Sequence, residues 1–252
     1  MHIRVINPNT TATMTAKIGA AAQAVAGPGT EILAVNPTMG PASIEGFYDE
    51  ALSIPGLLLE AARAEREGAD GIVVACFDDV GLDAVRSLVD IPVVGLCESA
   101  LTLAARLGPT ISVITTLDRS VPALRELARR YGHGEHARVH ASGVAVLELE
   151  EEGGTARARL ETVIAHVMRL DRPDSLVLGC AGMADLAWDL SRSFGLPVVD
   201  GVSAAVKLVE SLVALGLTTS KSGAYARPAD KVYRGALAEF APGELIGGVT
   251  VE

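Results

Sequence analysis

Cysteine is scarce in this chain of 252 residues, which contains three. An odd number of cysteines, in a chain whose first residues MHIRVINPNTT lack the pattern of a secretion signal, argues against a disulfide framework. No apolar run in the sequence approaches the length needed to span a bilayer, so we expect a cytoplasmic protein without a membrane partner. Because no disulfide framework is expected, a role has to be considered separately for each of the three thiols.

Positive charge is also in deficit, with 21 Lys and Arg against 31 Asp and Glu and a formal net charge of −10. This balance disfavours binding to nucleic acids and to anionic membranes. The chain lacks a Walker A or GxGxxG string after a strand, which nucleotide cofactors require, and it lacks a GxSxG nucleophile motif. Small neutral molecules remain open as substrates.

What the sequence does contain is a regular alternation of short apolar runs and helical stretches, which is typical of an α/β fold. Some runs are apolar on both faces, as buried parallel strands are. An acidic stretch at 148–154 is predicted to be an exposed edge. The predicted strands are 3–6, 31–35, 71–75, 92–96, 110–115, 139–147, 176–179 and 197–199, and the predicted helices are 10–26, one ending at 67, 82–88, 99–107, 121–131, 156–170 and 203–215.

The chain also contains an internal duplication. The segment ADGIVVAC, ending at Cys76, matches PDSLVLGC, ending at Cys180, and each has an aspartate, Asp70 or Asp174, six places before the cysteine. Each copy continues to a Pro-Val-Val strand and an Ala-rich helix that ends in Leu-Gly. The repeat predicts an α/β fold of two pseudo-symmetric lobes, each a mostly parallel sheet flanked by helices. We expect residues 1–98, completed by 217–252, to form the first lobe and 99–216 the second.

Two matched thiols in such a fold predict a chemistry. Ligands of open parallel sheets bind beyond the carboxyl ends of the strands, so the pseudo-two-fold axis would place Cys76 and Cys180 on opposite sides of one cleft. Inverting a carbon acid needs one group to remove a proton from one face and another to return a proton to the opposite face. A thiol suits both roles because its unperturbed pKa is about 8.5. The pattern predicts a cofactor-independent racemase or epimerase.

Several polar residues near these strand ends allow two interpretations. Backbone N–H groups after each cysteine, at Phe77-Asp78 and at Ala181-Gly182-Met183, could lower a thiol pKa and bind an oxyanion. Asp78 and Asp79 could instead only cap the following helix. Thr115-Thr116 are either substrate contacts or helix caps, and Ser43 in the loop 40–45 is either a substrate contact or an ordinary loop residue.

The third cysteine and a histidine cluster are set apart from this site. Cys97 aligns with Val202 of the second copy, which predicts a buried core residue. Three histidines, His133, His136 and His140, lie in a turn that leads into a strand and have no cysteine nearby. We expect them to form solvated surface, and we expect no metal.

With these motifs in view, the chain resembles the aspartate/glutamate/hydantoin racemase superfamily, and within it the hydantoin racemases, over residues 3–215. The strings that carry the resemblance are NPN at 7–9, GPASIE at 40–45, CFDD at 76–79, TT at 115–116, GCAGM at 179–183 and DGV at 200–202.

The resemblance implies a fold of two α/β lobes with the active site between them, a reaction without a cofactor, and a homo-oligomer. It implies that Cys76 and Cys180 are the opposed acid and base. The residues expected to hold the substrate, a hydantoin or related cyclic ureide, are Asn7, Ser43, Ile44, Phe77, Asp78, Thr115, Thr116, Ala181, Gly182 and Met183.

The same motifs discriminate among related activities. The string CFDDVG at 76–81 differs from the CFGDPG of many allantoin racemases and favours 5-substituted hydantoins other than allantoin, which stays the nearest competing substrate. Phe77 and Ala181 stand where amino-acid racemases have Thr or Asn, which disfavours free glutamate or aspartate. The sequence also leaves open a decarboxylase or a maleate-type cis–trans isomerase of the superfamily, and a two-lobed small-molecule binding protein outside it.

Overall fold

The computed structural model describes residues 1–150 and 155–246 of the chain. Residues 151–154 of the predicted acidic edge, and 247–252 of the segment predicted to complete the first lobe, lie outside the described residues. The strands are β1 (His2–Ile6), β2 (Glu31–Val35), β3 (Gly71–Val74), β4 (Val93–Gly95), β5 (Ile111–Thr115), β6 (Ala137–Ala141), β7 (Ser175–Leu178) and β8 (Val198–Asp200).

The strands form two four-stranded parallel sheets with the same order. The first is β2-β1-β3-β4 and the second is β6-β5-β7-β8. The inner strands β3, β5 and β7 are buried along their whole length, because helices cover both faces of a parallel sheet. The matching orders confirm the predicted fold of two pseudo-symmetric α/β lobes.

Helices connect the strands throughout the described residues. They are α1 (Ala12–Val25), α2 (Phe47–Arg66), α3 (Leu82–Leu88), α4 (Leu96–Ala104), α5 (Val121–Arg130), α6 (Ala156–Asp171), α7 (Ala187–Phe194), α8 (Gly201–Ala214) and α9 (Pro242–Ile246), with short 3₁₀ turns at 118–120, 147–150, 181–186, 223–225 and 235–240. None of the described helices is long and apolar enough to cross a membrane.

One predicted strand is too long. The sequence predicted strand structure over 139–147, but β6 ends at Ala141. Gly143 has a φ of 70°, in the left-handed region, and the backbone N–H groups of Ser142 and Gly143 donate to the carbonyls of Thr115 and Thr116. The chain therefore turns away from the sheet there, and the apolar residues that follow pack beside the site described below.

The duplicated aspartates make the same contacts in the two halves. The backbone N–H of His2 donates to Asp70 Oδ2 at 2.7 Å, and that of Thr110 donates to Asp174 Oδ2 at 2.8 Å. In return the backbone N–H groups of Asp70 and Asp174 donate to the carbonyls of His2 and Thr110, each at 2.8 Å. Each aspartate thus ties the start of an inner strand to the start of its neighbour and fixes their register.

The last helix of each half packs against the other half. Helix α4, which follows β4 of the first sheet, contacts β7 and β8 of the second, and α8, which follows β8, contacts β1, β3 and β4 of the first. The two helices pack closely against each other, because a Cβ placed at Gly201 would lie 2.7 Å from Cβ of Leu96. One apolar core therefore joins both sheets, with Val73, Val177 and Val206 among its members.

The C-terminal segment returns to the helices of the first sheet. The backbone N–H of Thr219 donates to the carbonyl of Asp90 at 2.8 Å, and Phe240 and Leu245 are buried against the outer face of that sheet, where α9 contacts α2. The assignment of 1–98 and 99–216 to separate lobes remains a prediction.

Candidate active site

Both cysteines of the duplication lie two residues beyond the end of an inner strand, Cys76 after β3 and Cys180 after β7. Each is half-buried, and both line one cavity between the two sheets. A negative charge on Cys180 would raise the pKa of Cys76, so the two sulfurs lie within electrostatic reach of each other. The cavity is lined by Asn7, Asn9, Met14, Ile44, Ala75, Cys76, Phe77, Asp78, Thr115, Thr116, Ser120, Val146, Gly179, Cys180 and Ala181.

The chain makes the same tight turn after each cysteine. The backbone N–H of Asp79 donates to the carbonyl of Cys76, and that of Met183 donates to the carbonyl of Cys180, both at 3.1 Å. In the first turn the backbone N–H of Asp78 also hydrogen-bonds Cys76 and lowers the pKa of its thiol. The first turn thus aims a backbone donor at the position where a thiolate of Cys76 would form.

Burial and charge nevertheless leave Cys76 protonated at rest. Burial raises the pKa of the Cys76 thiol well above its ordinary value, and the carboxylate of Asp78 adds to the shift. The single backbone donor opposes these effects without cancelling them. Cys76 is therefore a thiol at neutral pH, the form of a general acid.

A group of carboxyl side chains surrounds the turn that carries Cys76. Burial, together with the charges of Glu50 and Asp79, raises the pKa of Asp78 to about 7. Burial also raises the pKa of Glu50, whose Oε1 is buried and has no hydrogen-bond partner among the described residues. Glu50 lies in the first turn of α2, distant in sequence from the cysteine, and nothing in its local pattern predicted a place near the site.

Asp79 caps a helix, but not the helix that the sequence suggested. Its side chain accepts the backbone N–H groups of Cys97 and Glu98, each at 3.0 Å, at the start of α4 and not of α3. It also accepts the hydroxyl of Tyr131 at 2.8 Å. Burial and the neighbouring Glu98 raise the pKa of Asp79 to about 7, against these three hydrogen bonds.

The polar wall of the cavity is built from strand ends in both halves. Asn7, at the end of β1, donates from Nδ2 to Oδ1 of Asn9 at 2.9 Å and to Oγ1 of Thr15 at 3.0 Å. Thr115, at the end of β5, donates its hydroxyl to the carbonyl of Gly179 at 3.3 Å. Asn9 belongs to the NPN motif but was not predicted as a site residue. The residues of the cavity lining that were not predicted as site residues are six: Asn9, Met14, Ala75, Ser120, Val146 and Gly179.

The structure brings most of the predicted substrate-binding residues to the cavity. Asn7, Ile44, Phe77, Asp78, Thr115, Thr116 and Ala181 line it. Ser43 is half-buried in the loop before α2 and is not part of the lining. Gly182 lies behind Cys180, where an added Cβ would come 3.8 Å from Sγ. The side chain of Met183 is fully buried in the core on the outer face of the second sheet.

Cys97 and His140, which the sequence set apart, do not line the cavity. Cys97 is 1% exposed in the core between the sheets, which confirms the predicted core position. His140 pairs with Asp171 at 2.5 Å and is not part of the cavity lining. Within 1–150 and 155–246, no group of three or more His, Cys, Asp or Glu side chains is arranged to hold a metal ion.

Comparison with known proteins gives consistent matches. The sequence profile of the Asp/Glu/Hydantoin racemase family matches residues 3–209, a range that includes both cysteine segments and the NPN motif. A hydantoin racemase of Rhizobium meliloti is 46% identical over 236 residues, which are 93% of this chain and 98% of that protein.

Solved structures of racemases share the fold. The allantoin racemase from Klebsiella pneumoniae superposes with a TM-score of 0.93 at 46% identity, over 96% of this chain and 99% of that chain. A glutamate racemase from Francisella tularensis superposes with a TM-score of 0.64 over 98% of this chain and 93% of that chain, and at 16% identity it shows the shared fold alone.

Proposed function

The chain belongs to the Asp/Glu/hydantoin racemase family and is an isomerase, and on this premise we propose that it interconverts the D and L forms of 5-substituted hydantoins. The observation that carries the proposal is that Cys76 and Cys180, from two copies of one structural unit, line the same cavity. The hydantoin racemase of Rhizobium meliloti, similar over nearly its whole length, supports the substrate class.

The proposed reaction is a two-base proton transfer. One cysteine, as thiolate, takes the C5 proton and becomes a thiol, while the opposite cysteine, as thiol, gives its proton to the other face of C5 and becomes a thiolate. The protein therefore ends a turnover with the proton on the opposite sulfur, poised for the reverse reaction. The resting thiol of Cys76 fits the role of proton donor in the first step.

The intermediate is an enolate whose negative charge lies on the carbonyl oxygen next to C5. We propose that it is held by backbone N–H groups in the turns after the two cysteines, with side chains of Asn7 and Thr115 oriented nearby. Since the amide of Asn7 already donates within the protein, its position is fixed before substrate arrives. The protein groups supply all the acid, base and oxyanion functions, so the proposed reaction uses no cofactor.

The charge of the cavity suits a neutral ring. Among the described residues, the lining contains no Lys, Arg or His, while Asp78 contributes a carboxyl group. A free amino acid would bring a carboxylate that finds no cationic partner there, and burying an unpaired charge is costly. A hydantoin carries only N–H and C=O groups around C5, which the polar wall can pair.

The first experiment follows a single enantiomer of a 5-alkylhydantoin in deuterated buffer, by optical rotation and by loss of the C5 proton signal. Racemisation with deuterium uptake is expected. Cys76→Ser and Cys180→Ser should each lower racemisation by about 100-fold or more, because positioned acid–base groups contribute about 10²–10⁴ in rate. Cys97→Ser is the matched control, since Cys97 is buried in the core and does not line the cavity, and should keep the wild-type rate.

The single variants also separate the two faces of the reaction. Each retains one base, so each should exchange the C5 proton of one enantiomer with retention of configuration, and the two variants should choose opposite enantiomers. A near-normal racemisation rate in either Cys76→Ser or Cys180→Ser would show that the two-base mechanism is wrong.

A second candidate substrate is allantoin, favoured by the similarity to the allantoin racemase from Klebsiella pneumoniae. Allantoin is itself a hydantoin with a ureido group at C5, so the same two thiols would act on the same proton. Parallel assays with single enantiomers of allantoin and of a 5-alkylhydantoin decide between them through kcat/KM. A homo-oligomeric state and a cytoplasmic location remain predictions.

A further inference from the structure

The two halves of the fold cap their last helices in different ways. In the second sheet Asp200 pairs with Leu178, two residues before Cys180, and in the first sheet Gly95 pairs with Val74, two residues before Cys76. Asp200 and Gly95 are therefore equivalent positions at the start of α8 and α4. Asp200 caps its own helix by accepting the backbone N–H of Ser203 at 2.8 Å, whereas Gly95 has no side chain with which to do so.

The missing cap is supplied by the turn that follows the first cysteine. Asp79 accepts two backbone N–H groups of α4, and its carboxyl group fills the space that a side chain at position 95 would need. A Cβ built on Gly95 would lie 2.3 Å from Oδ1 of Asp79. The equivalent position in the second half is Met183, whose backbone makes the same turn but whose side chain is apolar and buried elsewhere.

Asp79, which caps α4 in place of a side chain at Gly95, makes a further contact. Its Oδ2 accepts the hydroxyl of Tyr131, which directly follows α5, the helix that packs on β6 of the second sheet. Asp79 adopts a φ of 46°, a left-handed conformation that is costly for a residue other than glycine. Three side-chain hydrogen bonds thus hold Asp79 in a strained conformation, within the turn that carries Cys76, and fix its position.

We infer that Asp79 is a positioning residue, which fixes the turn carrying Cys76 to α4 and, through Tyr131, to the half of the molecule that carries Cys180. The inference rests on the proposed two-cysteine reaction. In that reaction both thiols must meet opposite faces of one carbon, and a small displacement of one turn relative to the other slows proton transfer. Met183 makes no matching contact, because its side chain is buried in the core on the outer face of the second sheet.

The test uses a pair of tyrosines that make similar bonds. Tyr131 donates to Asp79 at 2.8 Å, and Tyr225 donates to Asp83 Oδ1 at 2.9 Å, on α3 beyond the turn. Tyr131→Phe should lower kcat by about tenfold, which is about 1.4 kcal/mol in the activation free energy, with KM changed less than about twofold. Tyr225→Phe, the matched control, should leave kcat unchanged.

A second pair of variants separates positioning from helix capping. Asp79→Ala should lower both the Tm and kcat. The double variant Asp79→Ala/Gly95→Asp places an ordinary cap at the start of α4, in the manner of Asp200, in space that Asp79 has vacated. We expect the Tm to recover in the double variant while kcat stays low. Recovery of kcat together with the Tm would show that Asp79 only caps α4 and would overturn the inference.

A measurement without substrate separates this inference from the proposed function. Alkylation by iodoacetamide, resolved by peptide mass spectrometry, gives separate rates for Cys76 and Cys180. In Tyr131→Phe the rate at Cys76 should rise several-fold while that at Cys180 is unchanged. Equal rates in wild type and Tyr131→Phe at both sites would refute the positioning role even if racemisation is observed. A failure of the wild-type protein to racemise hydantoins would instead refute the proposed function and leave the alkylation result valid.

Discussion

The carboxyl group of Asp78 should control the reactivity of Cys76 in a way that depends on pH. Asp78 is the largest charged contributor to the raised pKa of the Cys76 thiol, and its own pKa is about 7. Asp78 is therefore mostly neutral a unit below that value and mostly ionised a unit above it. Asp78→Asn removes the charge at every pH, so its effect on Cys76 should grow as the pH rises through 7.

The expected size follows from the acid–base properties of thiols. A like charge nearby shifts a pKa by about 1 unit, which changes the thiolate fraction about tenfold. The nucleophilicity of a thiolate falls with its pKa, with a Brønsted slope of about 0.4–0.5, so the net gain in alkylation rate is about threefold. We expect Asp78→Asn to alkylate about threefold faster than wild type near pH 8 and at nearly the wild-type rate below about pH 6.

The assay is the site-resolved alkylation rate of Cys76 across this pH range, with Cys180 as an internal reference. Glu50→Gln provides a test of opposite sign, because Glu50 raises the pKa of Asp78. Without Glu50, Asp78 ionises at lower pH and should slow the alkylation of Cys76 between about pH 5 and 7. A ratio of Asp78→Asn to wild type that does not vary with pH, or two variants that shift the rate in the same direction, would refute this reasoning.

Three further predictions concern stability. A Cβ added at Gly179 would lie 3.0 Å from the carbonyl oxygen of Ile114. Gly179→Ala should therefore lower the Tm by about 3–10 °C, because overpacking costs about 1–3 kcal/mol. An unchanged Tm by calorimetry would contradict this prediction. Asp70→Ala and Asp174→Ala should each cost about 1 kcal/mol in the free energy of unfolding, as single surface hydrogen bonds do, and unequal losses in urea titration would argue against equivalent roles. Burial opposes the ionisation of Asp171, but its hydrogen bonds outweigh burial and lower its pKa. The ionised form of Asp171 therefore stabilises the fold above the ordinary Asp pKa of about 3.9, and this stabilisation is lost as the pH falls below that value. Asp171→Asn should therefore lower the Tm at neutral pH more than in acid.

The fold was predictable because it repeats. Parallel inner strands read as apolar runs, and the paired segments ending at Cys76 and Cys180 fixed both the register of the duplication and the edge at which the thiols meet. The length of β6 was not predictable from hydrophobicity, since the apolar residues after Gly143 serve the cavity wall and not the sheet.

The surroundings of Cys76 were harder to predict, because they depend on contacts between distant segments. Glu50 and Tyr131 reach the turn from α2 and from the end of α5, and neither residue has a local pattern that marks it. Asp79 has the local signature of a helix cap, but it caps a helix that starts 17 residues later. Only the folded arrangement shows which N–H groups it meets.

The crossing of α4 and α8 bears on how such a chain can fold and how it can arise. Each sheet is covered on its inner face by a helix from the other half, which is the arrangement of a swapped dimer whose two copies have been joined end to end. A half produced alone would expose the sheet face that its partner's helix covers, so two complementary fragments should gain structure only when mixed. Joining the two copies in one chain keeps these mutually dependent halves in equal amounts. The residues around each thiol can then differ between the two copies.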